Sequence, residues 1–244
     1  MKRRADELVL ERGLATSLVE ARALILAREI VADDHVVEKA GTSLSIDVVL
    51  RRKNAPTRFV SRGGDKLDAA LQRFSVEVSG KICADFGAST GGFTDALLQR
   101  GAVRVHAIDV GYGQLHERLR GDPRLRVHDR TNARDVSPAM LGERVDLVVI
   151  DASFISLTAL LPAAVAVLRR PGTLVALVKP QFEAPRDAVG EGGVVSDEAV
   201  RQAAISRVIE SLTQLGFTQT QTMDSTVPGP AGNVEALIAA RLTE

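Results

Sequence analysis

Only one cysteine, Cys83, stands in the 244-residue chain, so neither an intrachain disulfide nor a cysteine-built zinc cage can form. The four histidines, His35, His106, His116 and His128, show no ligand spacing, and no metal is expected. An excess of charge of either sign is missing too. Lys and Arg number 31 against 31 Asp and Glu, so a polyanion would have to be held by a local patch, not by the field of the whole molecule. Met1-Lys2-Arg3-Arg4 leads into mixed charged and apolar residues, with no apolar signal core or cleavage pattern. Together with the lone cysteine this predicts a reducing, cytoplasmic location. The uncharged run Ala152–Leu168 approaches the ~17-residue lower limit of a membrane-spanning helix. It contains Ser153, Ser156, Thr158 and a mid-run Pro162, which suit a strand-exit loop followed by a buried helix, and no membrane contact is expected. No internal repeat or low-complexity segment is visible.

With 45% hydrophobic and 25% charged residues, the length fits one large domain, or one full domain plus a small module. The small module comes first. Gly13 punctuates a helical segment carrying Leu8 and Val9, and Ser17-Leu18-Val19-Glu20 has the spacing of a capping box opening a second helix, with Leu18, Ala21, Leu24 and Ile25 on one face. Two β-prone pieces follow, Val36-Val37 and Ser45–Val48, separated by Gly41 and read as a small hairpin sheet. Glu11-Arg12-Gly13-Leu14, Ala21–Ile25 and Lys39-x-Gly41-Thr42 resemble the S4 RNA-binding domain, with Asp33-Asp34 where that domain usually turns through Asn-Gly. The resemblance implies a small α+β S4-like RNA-binding domain over residues 1–53, with Arg4, Arg12, Arg22 and Arg28 as candidate RNA contacts.

Residues 54–60 then form a linker, marked by Asn54-Ala55-Pro56. From Arg51 to Lys66 six cations face Asp65 alone, a net +5 that the balanced total hides. Arg51, Arg52, Lys53, Arg58 and Arg62 of this stretch could follow a nucleic-acid backbone, because neutralising phosphates supplies most sequence-independent affinity. Over residues 61–244 strands and helices alternate, and a doubly wound sheet is expected. The candidate strands are Lys81–Asp85, Val103–Asp109, Arg124–Val127, Val145–Asp151, Thr173–Lys179, Gly216–Thr222 and Val234–Arg241. The last two are joined by too few residues for a helix, through Pro228, Gly229, Pro230 and Gly232, and so should form an antiparallel edge hairpin.

Asp85-Phe86-Gly87-Ala88-Ser89-Thr90-Gly91-Gly92-Phe93 follows the first of these strands and opens a helix, where an α/β sheet receives a nucleotide-like ligand. The glycines approximate both G-x-G-x-x-G and the D-x-G-x-G-x-G of S-adenosylmethionine enzymes, with Ser89 replacing the middle glycine in each. Asp109, 22 residues beyond Gly87, closes the second strand where an acidic side chain can accept both ribose hydroxyls of either cofactor. Four polar residues remain that cofactor binding leaves unexplained. Lys66 sits early in a helix facing inward with Leu67, Ala70, Leu71 and Phe74; Asp151 and Lys179 end apolar strands; Glu235 opens the last strand at the same rim.

Together these four resemble the Lys-Asp-Lys-Glu tetrad of FtsJ-type ribose 2′-O-methyltransferases. With the S4-like module in front, the whole chain resembles the TlyA family, which carries both haemolysin and ribosomal RNA cytidine 2′-O-methyltransferase names. The motifs are Ser61-Arg62-Gly63-Gly64-x-Lys66-Leu67, Gly87–Thr94, Asp109–Leu115, Arg130-Thr131-Asn132, Ser153–Leu157, Val178–Glu183 and Gly232–Glu235. The resemblance implies a Rossmann-like class I methyltransferase fold of seven strands with the last antiparallel. It implies S-adenosylmethionine held by Asp85, Gly87–Phe93, Asp109, Val110, Thr131, Asn132 and Asp151. It also implies a substrate in ribosomal RNA or a ribosomal subunit. The chain stops nine residues beyond Glu235, like the family's shorter form, so 23S RNA is expected over 16S RNA. A lysine takes a proton only when neutral, a state favoured by burial and a second cation and opposed by carboxylates. Lys179 is accordingly assigned as general base, Lys66 as the hydroxyl-positioning partner, Asp151 as the bridge between them and Glu235 as an orienter behind them. Two other readings stay open: an NAD-dependent oxidoreductase, which accounts for the loop, and a pore-forming cytolysin, which accounts for the haemolysin name and for Ala152–Leu168. Oligomeric state is not readable from the sequence.

Overall fold

Among the described residues after the basic joint, seven strands join one sheet. The computed structural model describes residues 2–33, 35–53, 58–229 and 232–243, and the chain divides into two compact units, Met1–Thr57 and Arg58–Glu244. Asp34 of the expected S4 turn and Asn54-Ala55-Pro56 of the expected linker lie outside the described residues.

In the first unit β1 (Lys2–Arg4), α1 (Ala5–Glu11), α2 (Leu18–Leu26), β2 (Ile30–Ala32), β3 (His35–Val36), β4 (Ser43–Ser45) and β5 (Leu50–Arg52) enclose their own small core of Leu8, Val9, Ile25 and Ile30. Ser17 caps α2, its Oγ accepting the Glu20 N–H at 3.1 Å. The reciprocal half of the box is displaced: the Glu20 carboxylate accepts from Thr16 N–H at 2.7 Å, one residue upstream. The buried face of α2 is narrower than expected, for Leu18 is 38% exposed while Ala21, Leu24 and Ile25 are buried. The two β-prone pieces do not pair with each other. Val36 pairs with Val31 and Ser45 with Lys2, while residues 46–47 form a turn. The short apolar run Ile30-Val31-Ala32 takes the centre of a β3-β2-β5 sheet, and its burial decides the pairing.

The second unit runs α3 (Arg62–Arg73), β6 (Ile82–Phe86), α4 (Gly92–Gln99), β7 (Arg104–Ile108), β8 (Leu125–His128), α5 (Pro138–Leu141), β9 (Val145–Ile150), α6 (Leu161–Val167), β10 (Leu168–Val178), α7 (Pro180–Glu183), α8 (Glu198–Gln214), β11 (Phe217–Asp224) and β12 (Ala236–Leu242). The sheet order is β11-β12-β10-β9-β6-β7-β8. Neighbours from β10 to β8 are parallel, and β12 runs antiparallel to both β10 and β11. This is the expected seven-stranded α/β fold with its last strand antiparallel. Alternate residues of the central strands feed two cores. Phe86, Val148, Ile150 and Ala176 pack with Leu161, Ala164 and Val208, and Cys83, Leu147, Val149 and Leu177 pack with Leu67, Leu71 and Leu97.

The expected antiparallel hairpin at the edge of the sheet is formed by β11 and β12, with β11 outermost. β12 is inserted between β11 and β10. The sequences explain the order, since Ala236-Leu237-Ile238-Ala239-Ala240 is buried on both faces, whereas Phe217–Asp224 alternates Thr and Gln exposed to solvent. The run Ala152–Leu168 contributes a 3-10 turn over Leu157–Ala159 and then α6, with Leu157, Leu160, Leu161 and Ala164 inside the core. Among the described residues no helix is long and apolar enough to cross a membrane.

Candidate active site

The order of strands reverses between the parallel neighbours β6 and β9, because β7 and β8 are added on one side of β6 while β9 and β10 are added on the other. At such a switch point the carboxyl ends of neighbouring strands splay apart and leave a crevice. Gly87 follows β6 at φ +87, and a Cβ there would lie 2.6 Å from the Asp151 carbonyl oxygen. Glycine alone lets the ends of β6 and β9 approach this closely. Ser89 adopts a left-handed conformation (φ +48), as the glycine it replaces in the pattern would. Its N–H donates to Asp109 Oδ2 at 2.8 Å, while Asp109 Oδ1 accepts from Gly111 N–H at 2.7 Å. The Asp109 carboxylate is thereby aimed by two backbone donors, one from its own loop and one from the glycine loop.

A cavity of about 440 Å³ opens there, bordered by Gly87, Ser89, Asp109, Val110, Thr131, Asn132 and Asp151. Ala88, Thr90, Gly92 and Phe93 border a neighbouring cavity of about 290 Å³, which shares Gly87, Ser89 and Asp151. Two expected cofactor residues line neither. Gly91 (φ +96) gives room to the Leu115 and Leu119 side chains, which a Cβ would strike, and is a packing position. Asp85 is fully buried behind the loop; its Oδ2 accepts from Thr94 Oγ1 at 2.7 Å and its Oδ1 has no partner. Burial pushes its carboxyl up to about 7, the Thr94 hydroxyl pulls against this, and the nearby Asp151 charge adds to it.

The smaller cavity gathers all four tetrad candidates, Lys66, Asp151, Lys179 and Glu235. Register explains how. Val178 of β10 faces Ala236 of β12, so Lys179 and Glu235 leave the sheet side by side, and β9, parallel to β10, delivers Asp151 to the same rim. α3 adds Lys66, 7% exposed, whose Nζ meets Glu235 Oε2 at 2.5 Å. Lys179 Nζ lies 2.6 Å from Asp151 Oδ1 and donates to Ser153 Oγ at 2.8 Å. That Asp151 oxygen is buried and accepts no aligned hydrogen bond, so the contact is an ion pair without hydrogen-bond direction. The expected bridging role of Asp151 is not what the geometry shows. There are two separate pairs, Lys66–Glu235 and Lys179–Asp151, and Glu235 touches a lysine directly instead of standing behind it.

Of the candidate RNA contacts, Arg4 and Arg22 both bind the buried Asp6, at 2.9 Å each, and hold its carboxyl well below the usual range. Arg28 pairs with Glu38, Arg12 donates to the Ile46 carbonyl, and Arg52 stands 4.0 Å from Glu20. In the second unit Arg58 pairs with Asp68. Arg51, Lys53 and Arg62 are exposed and make no ion pair among the described residues. Ser153, which receives the Lys179 bond, and Gln114, which borders the larger cavity, were not singled out from sequence. Ser153 stands in a quoted motif two residues after Asp151, and that proximity was the available signal. Among the described residues no group of three or more potential ligands could hold a metal.

The FtsJ-like methyltransferase family model matches residues 59–242. A Mycobacterium tuberculosis protein named 16S/23S rRNA (cytidine-2'-O)-methyltransferase TlyA is 46% identical over 98% of this chain and 89% of its own length. A Campylobacter jejuni protein named 23S rRNA (cytidine-2'-O)-methyltransferase TlyA is 34% identical over 72% of this chain and 68% of its own. A solved structure described as a hemolysin from Streptococcus thermophilus shares 37% identity with a TM-score of 0.78, covering 100% of this chain and 89% of that one.

Proposed function

The chain belongs to the TlyA family of FtsJ-like methyltransferases, and from that premise we propose that it transfers a methyl group from S-adenosylmethionine to a cytidine ribose 2′-oxygen in 23S ribosomal RNA. The observation that carries the reading is the pair of lysine–carboxylate contacts around one cavity beside the glycine loop. Both named methyltransferase relatives act on 23S RNA by name, which favours the large subunit. Such a substrate places the enzyme in the cytoplasm.

The larger cavity fits adenosylmethionine by its own chemistry. The Asp109 carboxylate suits ribose hydroxyls, and Ile108, Val110 and Leu160 offer an apolar bed for a base. When bound, the cofactor supplies an electrophilic sulfonium methyl. The residues of the smaller cavity present the other reactant. Lys66, fixed by Glu235, directs the 2′-hydroxyl, and Lys179, oriented by Asp151 and Ser153, takes its proton as attack proceeds. Residues 1–53 and the basic joint serve RNA capture, with Arg51, Lys53 and Arg62 presenting charge to phosphate.

A nicotinamide oxidoreductase would use the loop and leave the two lysine pairs idle. The cytolysin reading requires Leu157, Leu160 and Leu161 to leave the sheet core they occupy. Calorimetry separates the cofactors: saturable adenosylmethionine binding, weakened by Asp109→Ala, is expected. Saturable NAD binding with no response to adenosylmethionine would contradict the reading.

A further inference from the structure

The chain after Lys179 forms α7, whose last residue, Glu183, is a buried carboxylate that the proton transfer described above does not use. Its Oε2 accepts from Ser156 Oγ at 2.6 Å and its Oε1 from Leu157 N–H at 2.6 Å. Its main-chain carbonyl is anchored in turn by Arg207 Nη1 of α8 at 2.7 Å. Ser156 and Leu157 lie on the exit of β9, a few residues past Asp151, just as Glu183 lies a few residues past Lys179. Glu183 therefore ties together the far ends of the two loops that carry the members of one ion pair. Between the ends, the Phe154 and Phe182 rings meet with centroids 5.3 Å apart, and at the near end Lys179 donates to Ser153.

Burying a carboxylate is costly unless its lone pairs are satisfied, and a packing role alone would be filled more cheaply by an apolar side chain. Here both oxygens are spent on one neighbouring loop. Resting on the methyltransferase reading, we propose that Glu183 is a positioning residue. By strapping the β9 exit loop to α7 it fixes the separation and direction of Lys179 and Asp151, without touching substrate or cofactor itself.

The test compares Glu183→Ala, Glu183→Gln and Ser156→Ala in the full-length protein, with adenosylmethionine and ribosomal subunits as substrates. The glutamine amide can accept from Leu157 N–H and donate to Ser156 Oγ, so both ties survive without the charge. Glu183→Ala should lower kcat at least tenfold, with adenosylmethionine binding at full stoichiometry and affinity within about threefold. Glu183→Gln should recover to within about threefold of wild type, and Ser156→Ala should fall between. Hydrogen exchange at the Leu157 amide should be slow in wild type and Glu183→Gln and fast in Glu183→Ala. Wild-type turnover in Glu183→Ala, a Glu183→Gln as slow as Glu183→Ala, or a loss matched by a lower fraction of cofactor-binding protein would overturn the proposal. Equal Leu157 exchange in wild type and Glu183→Ala would overturn the strap whatever the activity. Inactivity of the wild type alongside the expected exchange pattern would instead count against the methyltransferase reading, and with it against any catalytic use of the strap.

Discussion

Replacing Lys179 by arginine keeps a cation beside Asp151 but removes a side chain able to lose a proton. If Lys179 is the base, Lys179→Arg and Lys179→Ala should both bind adenosylmethionine, and methylation should fall together in both by the ~10²–10⁴-fold of lost acid–base catalysis. Near-normal turnover in Lys179→Arg would show that only a fixed charge is required there. Asp85 gives a second, pH-dependent test. Its folded carboxyl is raised by burial to about 7, so between the ordinary carboxylate range and pH 7 the folded state holds a proton that the unfolded state has lost. Stability from this group therefore falls as pH rises through that window, by up to about 1.4 kcal/mol per pH unit. Melting of the cofactor-free protein at pH 5, 6, 7 and 8 should show Asp85→Asn gaining on wild type toward the alkaline end. A constant difference across that range would remove the assignment. Asp151, Lys179 and Glu235 were legible in the sequence because each ends or opens an apolar strand, and Lys66 was legible through the resemblance of its motif to the family's, but how the four pair was not. Pairing depends on the Val178–Ala236 register, which no local pattern encodes. Asp6 was equally hidden, since its claim on Arg4 and Arg22 arises only once α1 and α2 pack.

Among the elements, the β6–α4 loop is the most constrained. Gly87→Ala must hold a left-handed backbone and place a Cβ 2.6 Å from a main-chain carbonyl that cannot swing aside, whereas Gly80→Ala, at φ +74 with nothing within 4 Å, meets only the backbone penalty of ~1–2 kcal/mol. Calorimetry should find adenosylmethionine affinity at least tenfold weaker in Gly87→Ala and unchanged in Gly80→Ala, with both variants melting below wild type. Equal affinities in the two would mean that the loop does not hold the cofactor. All seven strands of the sheet could be read from the sequence, β9, β10 and β12 from their apolar runs. Their lateral order could be read only in part, because the hairpin rule joins β11 to β12 without saying which one docks on β10. Burial on both faces of β12 settles that, and it is a property of amphipathicity compared across two strands. In the first unit, strands of two or three residues are too short for period-two alternation to register.

At the scale of the whole molecule, zero net charge conceals a basic joint between two compact units. RNA affinity of the full chain should fall steeply as salt rises from 50 to 200 mM, because phosphate neutralisation releases counterions. A chain beginning at Arg58 should keep adenosylmethionine binding and lose ribosomal RNA methylation, and full activity in it would refute the division of labour between the units. The most direct test supplies purified protein with adenosylmethionine and large ribosomal subunits from cells lacking this gene, then maps ribose methylation across the 23S RNA. The expected result is a new 2′-O-methylcytidine, formed by the wild type and absent with Lys179→Ala. Methyl groups on a base, or no methyl incorporation by a protein shown to bind adenosylmethionine, would contradict ribose 2′-O-methylation as its function.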